Sequence, residues 1–135
     1  MITELTRMWL TRSTKPFLFK NEYDQELPFS DCDGLGLYVH IPFCRSICSF
    51  CPYCKTLYTE EACSRYIDAL IREIHLAGSQ APGKKTVTSL YFGGGTPALA
   101  ADRIKEIIDA IQEHFIITQG IGIELHPENV TPRTL

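Results

Sequence analysis

The sequence of 135 residues has little of what would mark a membrane, secreted or nucleic-acid-binding protein. No apolar run approaches the roughly 18–20 residues that a membrane-spanning helix needs, so no membrane span is expected. The formal net charge is only −3, which gives no electrostatic reason to expect a nucleic-acid partner. The first residues lack the basic-then-apolar pattern of a secretory signal, so a cytoplasmic, reducing compartment is the default. With no internal repeat or low-complexity tract, the chain is typical of an ordinary globular protein.

Three strands are predicted from short runs that are rich in apolar, β-branched and aromatic residues. They lie at Leu35–Ile41, Thr86–Phe92 and Ile121–Leu125. Residues 1–34 precede them and contain only isolated apolar clusters and a closing turn signal, so they are predicted to form an N-terminal arm. Residues 35–135 are predicted to form the folded body.

Two amphipathic helices are predicted between these strands. Thr59 is a suitable N-cap for the first helix, and Gly78 is suitable as the residue that follows its last turn. The second helix is predicted from about Leu99 to Phe115, with isoleucines recurring at helical spacing. His75 and His114 fall late in the two helices and are expected to be solvated.

The alternation of strands and helices predicts an α/β fold with a parallel sheet built by crossover helices. In such sheets ligands gather beyond the carboxyl ends of the strands, where the loops that follow the strands meet. Three parallel strands leave a sheet edge open, and long open edges are disfavoured. We therefore expect the chain to be part of a longer protein.

The loop after the first strand carries four of the six cysteines. Cys44, Cys48 and Cys51 have the spacing C-x3-C-x2-C, and three thiolates on a four-iron cluster would leave one iron free for chemistry. Two alternatives use Cys54 as a fourth ligand: a structural zinc site and an electron-transfer cluster. Cys63 lies on the apolar face of the first helix and is predicted to be a small core residue.

The other two strands also end in residues that could contact a ligand. Gly93, Gly94 and Gly95 follow the second strand directly, where glycines allow a close backbone approach to a ligand or form a plain tight turn. Glu124, near the end of the third strand, could bind a ribose or an amino group, or could be a solvated acid. One small molecule with an amino acid end and a nucleoside end could bridge all three loops.

Three motifs together carry a family resemblance. They are Tyr38-Val-His-Ile-Pro-Phe-Cys44 with the cysteine spacing that follows it, Tyr91-Phe-Gly-Gly-Gly-Thr-Pro97, and Glu124-x-His-Pro. In this combination the chain resembles a radical S-adenosylmethionine (SAM) enzyme, of the family of oxygen-independent coproporphyrinogen III oxidase and its relatives. The resemblance covers roughly residues 35–130. It implies that the fold is the first half of a partial (β/α)6 barrel.

The resemblance also implies cofactors and the residues that hold them. A [4Fe–4S] cluster would be bound by the first three cysteines of the loop, and the amino and carboxylate groups of SAM would chelate its fourth iron. The metal ligands would be Cys44, Cys48 and Cys51, and the SAM-binding residues would be Tyr38, Phe50 through its neighbouring backbone, Gly94, Gly95, Thr96 and Glu124.

The implied reaction begins with one-electron cleavage of SAM to a 5′-deoxyadenosyl radical, which abstracts hydrogen from the substrate. The resemblance implies a small-molecule substrate related to porphyrin or haem and an electron donor such as flavodoxin or ferredoxin. One departure leaves the reaction open. Coproporphyrinogen oxidases carry a further cysteine where this chain has Pro52, and Cys54 comes later. Haem chaperones and haem-degrading radical methyltransferases share the same opening motif.

Overall fold

The computed structural model describes residues 32–130, together with Thr6 and Trp9. The predicted N-terminal arm therefore lies almost entirely outside the described residues. Short 3-10 helices occupy Pro97–Ala100 and Pro127–Asn129. The strands and helices are β1 Gly34–Ile41, β2 Phe43–Cys44, β3 Thr56–Leu57, α1 Glu60–Ser79, β4 Lys85–Gly94, α2 Ala101–His114, β5 Phe115–Ile117 and β6 Ile121–Ile123.

The main sheet is parallel throughout, as predicted. Strand β4 is central and pairs with β1 along one edge, in a register that places Tyr38 opposite Tyr91 and Ile41 opposite Gly94. Its other edge pairs with β5 near its start and with β6 near its end. Both crossovers between these strands are helical, so the predicted α/β architecture is confirmed.

The third strand position of the sheet is occupied by two short strands, β5 and β6, where the sequence predicted one strand. Phe115–Ile117 was assigned to the end of a helix and a loop, but it forms β5 and pairs with residues 85–87. The backbone then leaves the sheet and returns as β6. The predicted strand Ile121–Leu125 is shorter in the structure, ending at Ile123, although the Glu124 amide still donates to the Phe92 carbonyl at 2.9 Å.

The hydrophobic core lies between one face of the sheet and the two long helices. Alternate residues of β1 and β4 point into it, including Val39, Ile41 and Phe92. Ile67 of α1 and Ile107 of α2 cover them and are fully buried. Burial of apolar area supplies the main stabilisation of this layer, at roughly 25 cal/mol per Å². No helix among the described residues is long and apolar enough to span a membrane.

Helix α1 begins as predicted but does not end as predicted. The Thr59 side chain accepts a hydrogen bond from the Ala62 amide at 3.2 Å and caps the helix. Gly78, expected to follow the helix, is instead a buried residue within it. A Cβ atom there would lie 2.3 Å from Cγ of His114, so glycine is needed for close packing against α2 rather than for helix termination.

An ion-pair network also joins the two helices. The Arg103 guanidinium of α2 donates to Asp68 of α1 at 2.9 Å, and it also contacts Glu106 within α2 at 2.7 Å. These hydrogen bonds to two carboxylates raise the pKa of Arg103, which therefore stays charged. Cys63 is buried in the core nearby as predicted, and burial raises the pKa of its thiol.

Candidate functional site

The three loops that the sequence singled out meet at the carboxyl ends of β1, β4 and β6. We call residues 93–96 the glycine loop and residues 44–54 the cysteine loop. Two backbone hydrogen bonds join the glycine loop to the start of the cysteine loop. The Gly95 amide donates to the Ile41 carbonyl at 2.9 Å, and the Thr96 amide donates to the Phe43 carbonyl at 2.8 Å. Glu124 reaches the same loop from the other side, since Oε2 accepts from the Gly94 amide at 3.1 Å. The predicted convergence is therefore present.

The cysteine loop is closed at its base by the short parallel pair β2–β3. The Thr56 amide donates to the Pro42 carbonyl at 2.8 Å, and the Tyr58 amide donates to the Cys44 carbonyl at 2.9 Å. Between these bonds the chain projects away from the core, which leaves Cys48 and Cys54 exposed and Cys44 and Cys51 half-buried. All four thiols are unpaired, so each is available as a ligand.

His40 anchors the far end of this loop to β1. Its Nε2 lies 3.2 Å from the Cys54 carbonyl, and the Tyr38 hydroxyl lies 3.1 Å from its Nδ1. If Nε2 carries the proton, the imidazole donates to the loop and accepts from the tyrosine. The Tyr66 hydroxyl in turn donates to the His40 carbonyl at 2.8 Å. The sequence alone leaves two roles open for His40, contact with the residues that hold the cluster and plain core packing, and it does not indicate a role for Tyr66.

Packing within the protein requires glycine at positions 94 and 95. A Cβ at Gly95 would lie 2.5 Å from the Phe43 carbonyl oxygen, and one at Gly94 would lie 2.8 Å from both His40 and the Ile41 carbonyl. Gly94 also has a φ of +122°, a conformation that side chains disfavour. Their first function is thus to let β4 and its loop lie against β1. That the same glycines also let a ligand approach the backbone stays a prediction.

Glu124 and two tyrosines line the sheet face that the helices leave uncovered. The rings of Tyr38 and Tyr91 are stacked with centroids 6.3 Å apart, and the Tyr91 hydroxyl donates to Glu124 Oε1 at 3.4 Å. Desolvation, and after it the Glu124 carboxylate, raises the pKa of both tyrosines. Tyr38 is still 58% exposed, so its ring is open to a ligand.

Phe50 and Thr96, both predicted to contact SAM, differ in how exposed their side chains are. Phe50 lies at the tip of the cysteine loop and is 86% exposed, whereas Thr96 is only 8% exposed. A buried threonine is better placed to shape the loop than to offer its side chain to a ligand. Of the residues predicted to bind SAM, the structure brings Tyr38, Glu124 and those of the glycine loop together toward the carboxyl ends of the strands. Phe50 lies on the adjoining cysteine loop.

The donor set fits an iron–sulfur cluster in its chemistry. Three accessible thiols at C-x3-C-x2-C spacing are the ligands such clusters use. In such a cluster each thiolate binds a different iron, so the three thiols need not lie as close together as the ligands of a single metal ion.

Comparison with known proteins agrees with this arrangement. Over 91 residues the chain is 44% identical to anaerobilin synthase from Escherichia coli O157:H7, covering 66% of this chain and 20% of that protein. It is 33% identical over 107 residues to oxygen-independent coproporphyrinogen III oxidase from Pseudomonas aeruginosa, covering 75% and 23%. It is 31% identical over 105 residues to the haem chaperone HemW from Mycobacterium tuberculosis, covering 72% and 26%. No protein-family model matches the chain.

A solved structure gives the same result for the fold. Coproporphyrinogen III oxidase from Escherichia coli, described as a radical SAM enzyme, superposes with a TM-score of 0.66 at 33% identity. The match covers 73% of this chain and 24% of that one. The chain therefore spans about a quarter or less of the length of these relatives.

The fold and the converging loops define the class of protein, an α/β chain with the partial barrel of radical SAM proteins. Within that class, the resemblance to the oxygen-independent coproporphyrinogen III oxidase-like family is confirmed by sequence and by structure.

Proposed function

We propose that this chain is the cluster- and SAM-binding part of a radical SAM enzyme that acts on a porphyrin- or haem-related substrate. One observation carries the proposal. Backbone hydrogen bonds join the glycine loop to the start of the cysteine loop, while the Glu124 carboxylate accepts from Gly94. A single ligand at this edge of the sheet would touch all three loops. The class of substrate follows from the names of the relatives.

In this proposal each residue has a distinct role. A bound [4Fe–4S] cluster with SAM would supply one-electron cleavage of the sulfonium to a 5′-deoxyadenosyl radical. The cysteine thiolates hold the cluster, and the glycine loop positions the amino acid end of SAM. Glu124 accepts from Gly94 at Oε2 and from Tyr91 at Oε1, and each oxygen keeps a second lone pair that could accept from an amino or hydroxyl group. The residues concerned are Cys44, Cys48 and Cys51 for the metal, and Tyr38, Phe50, Gly94, Gly95, Thr96 and Glu124 for SAM.

The proposal also includes an electron donor and a cellular compartment. Cleavage of SAM consumes one electron, so a reduced donor such as flavodoxin or ferredoxin must supply it. None of the cysteines, all of which lie within residues 32–63, forms a disulfide, which suits the reducing cytoplasm. We include both the electron donor and this compartment in the proposal.

Electron paramagnetic resonance of the anaerobically reconstituted, reduced chain tests the site. We expect a [4Fe–4S]+ signal that shifts when SAM is added, because SAM would bind the iron that lacks a protein ligand. Replacing Cys44, Cys48 or Cys51 with alanine should abolish the signal. Cys54→Ala is the matched control, since Cys54 is an exposed thiol of the same loop, and it should retain both the signal and the shift.

The same samples distinguish the two metal alternatives. A signal that is indifferent to SAM in the wild-type chain, and is lost in Cys54→Ala, would indicate a four-cysteine electron-transfer cluster. One zinc ion per chain with no iron after reconstitution would indicate a structural zinc site. Either result would contradict the proposal.

A haem chaperone is the second candidate, favoured by the similarity to HemW. It predicts tight, stoichiometric haem binding with no turnover of substrate. Haem titration followed by absorbance, made alongside an assay for SAM cleavage, separates this candidate from an enzyme.

A further inference from the structure

A cluster of three metal-binding groups lies at the opposite end of the sheet from the cysteine loop. His75 is near the end of α1, and Glu113 and His114 are the last two residues of α2. Helix α2 leads directly into β5, which pairs with the start of β4. The cluster therefore lies beside the amino ends of the strands, away from the proposed cofactor site.

The three side chains point at one another. His75 Nδ1 lies 3.0 Å from His114 Nε2, and it lies 3.7 Å from Glu113 Oε2. All three ligand atoms are within 4.8 Å of one another. Two ligand atoms bound to one tetrahedral zinc ion at about 2.0–2.1 Å are roughly 3.3–3.4 Å apart, so little movement is needed to admit an ion.

The position of His114 is fixed by the protein rather than by chance surface contact. Its ring lies directly over Gly78 of α1, where even a methyl group would collide with it. The two histidine rings meet edge to face with centroids 5.3 Å apart, and Phe115 lies beside the second ring. Both histidines are half-buried, whereas the Glu113 side chain is 65% exposed and leaves the site open to solvent.

The electrostatics of this end of the layer favour a cation. Both helices direct their carboxyl ends here, and helix carboxyl ends carry partial negative charge. The last turn of α1 contains no basic residue, and that of α2 contains only His114. The nearby Lys84 ammonium donates to the Gln112 carbonyl at 2.9 Å.

We propose that His75, Glu113 and His114 form a second metal site, which binds a divalent transition-metal ion of the zinc class and fastens α1 to α2. Two imidazole nitrogens and one carboxylate suit zinc and its neighbours among the transition metals. An ion bound between His75 Nδ1 and His114 Nε2 would replace the hydrogen bond between them, and the His75 ring would carry its hydrogen on Nε2 instead. This inference is independent of the proposed cluster chemistry.

The test reads the histidine rings directly, because zinc bound by the cysteine loop would confuse a simple count of metal. Long-range proton–nitrogen spectra of the full chain, labelled with nitrogen-15 in histidine, are recorded with and without Zn²⁺. We expect the Nδ1 signal of His75 and the Nε2 signal of His114 to move to metal-bound positions. His126, which also lies near a carboxylate at 3.8 Å but without a second imidazole, is the internal control and should not move.

Variants identify the ligands. Glu113→Gln should weaken binding roughly tenfold or more, because loss of a ligand should cost at least as much as loss of an outer-shell partner. Glu128→Gln, beside His126, is the matched control and should bind as the wild type does. His75→Gln should abolish the shift of His114. Unchanged His75 and His114 signals in the wild-type chain at millimolar Zn²⁺ would overturn the proposal without recourse to any variant, as would shifts that persist in His75→Gln.

Discussion

Close packing at Gly95 holds the glycine loop against the backbone that leads into the cysteine loop. An alanine Cβ there would lie 2.5 Å from the Phe43 carbonyl oxygen and 2.8 Å from the Pro42 carbonyl carbon. Both atoms belong to the backbone that leads into the cysteine loop, so they cannot rotate away as a flexible side chain could. The glycine loop or the cysteine loop must therefore move.

The cost of Gly95→Ala follows from what that movement breaks. The hydrogen bonds from Gly95 to Ile41 and from Thr96 to Phe43 both cross this contact. Each is worth about 0.5–1.5 kcal/mol, and overpacking adds about 1–3 kcal/mol. We expect the free energy of unfolding to fall by roughly 2–6 kcal/mol, a large part of the 5–15 kcal/mol that is typical of a domain.

Urea denaturation followed by circular dichroism measures this loss. Gly36→Ala is the control, because a Cβ at Gly36 meets nothing within 4 Å, and it should change stability by no more than about 0.5 kcal/mol. Iron content after anaerobic reconstitution should also fall in Gly95→Ala, since the displaced backbone positions the cysteines. Equal stability of the two variants would refute the claim that this contact is tight.

Two further predictions concern the tyrosines around the site. Glu124→Gln removes a negative charge that helps to raise the pKa of Tyr91, so we expect that pKa to fall toward its ordinary value of 10.0 while the fold is retained. Ultraviolet titration of the variant and the wild type measures the change. A pKa of Tyr91 that stays the same or rises would contradict the prediction. Tyr66→Phe loses the 2.8 Å hydrogen bond to the His40 carbonyl and should destabilise the chain by about 1 kcal/mol in urea denaturation, more than Tyr58→Phe does.

Local pattern was sufficient for much of the architecture. The strand at Leu35–Ile41 and the Thr59 cap were predicted because apolar runs and capping residues act within a few positions of the chain. The order of elements then predicted a parallel sheet with all three loops at one end, and the structure confirms it. The cysteine spacing and the glycine motif were sufficient to predict the family, which the relatives confirm.

The predictions that failed all depended on contacts between distant segments. Gly78 was assigned to a helix end because glycine commonly follows helices, but the requirement comes from a ring 36 positions away in sequence that packs against it. His75 and His114 are only half-buried, in keeping with the expectation that they are solvated, but the sequence did not predict their hydrogen bond across two helices. The strand at Phe115–Ile117 was missed because its three residues form a strand only where the start of β4 offers them an edge.

The sequence by itself therefore determined the order of the elements, the cysteine ligands to be tested and the family. Those features are written in short-range patterns of residue type and spacing. Only the tertiary structure decided that His40 ties the cysteine loop to β1, that the glycines serve close packing, and that two histidines meet at the far end of the helices. Each of these depends on the distance between side chains that the chain separates and the fold brings together.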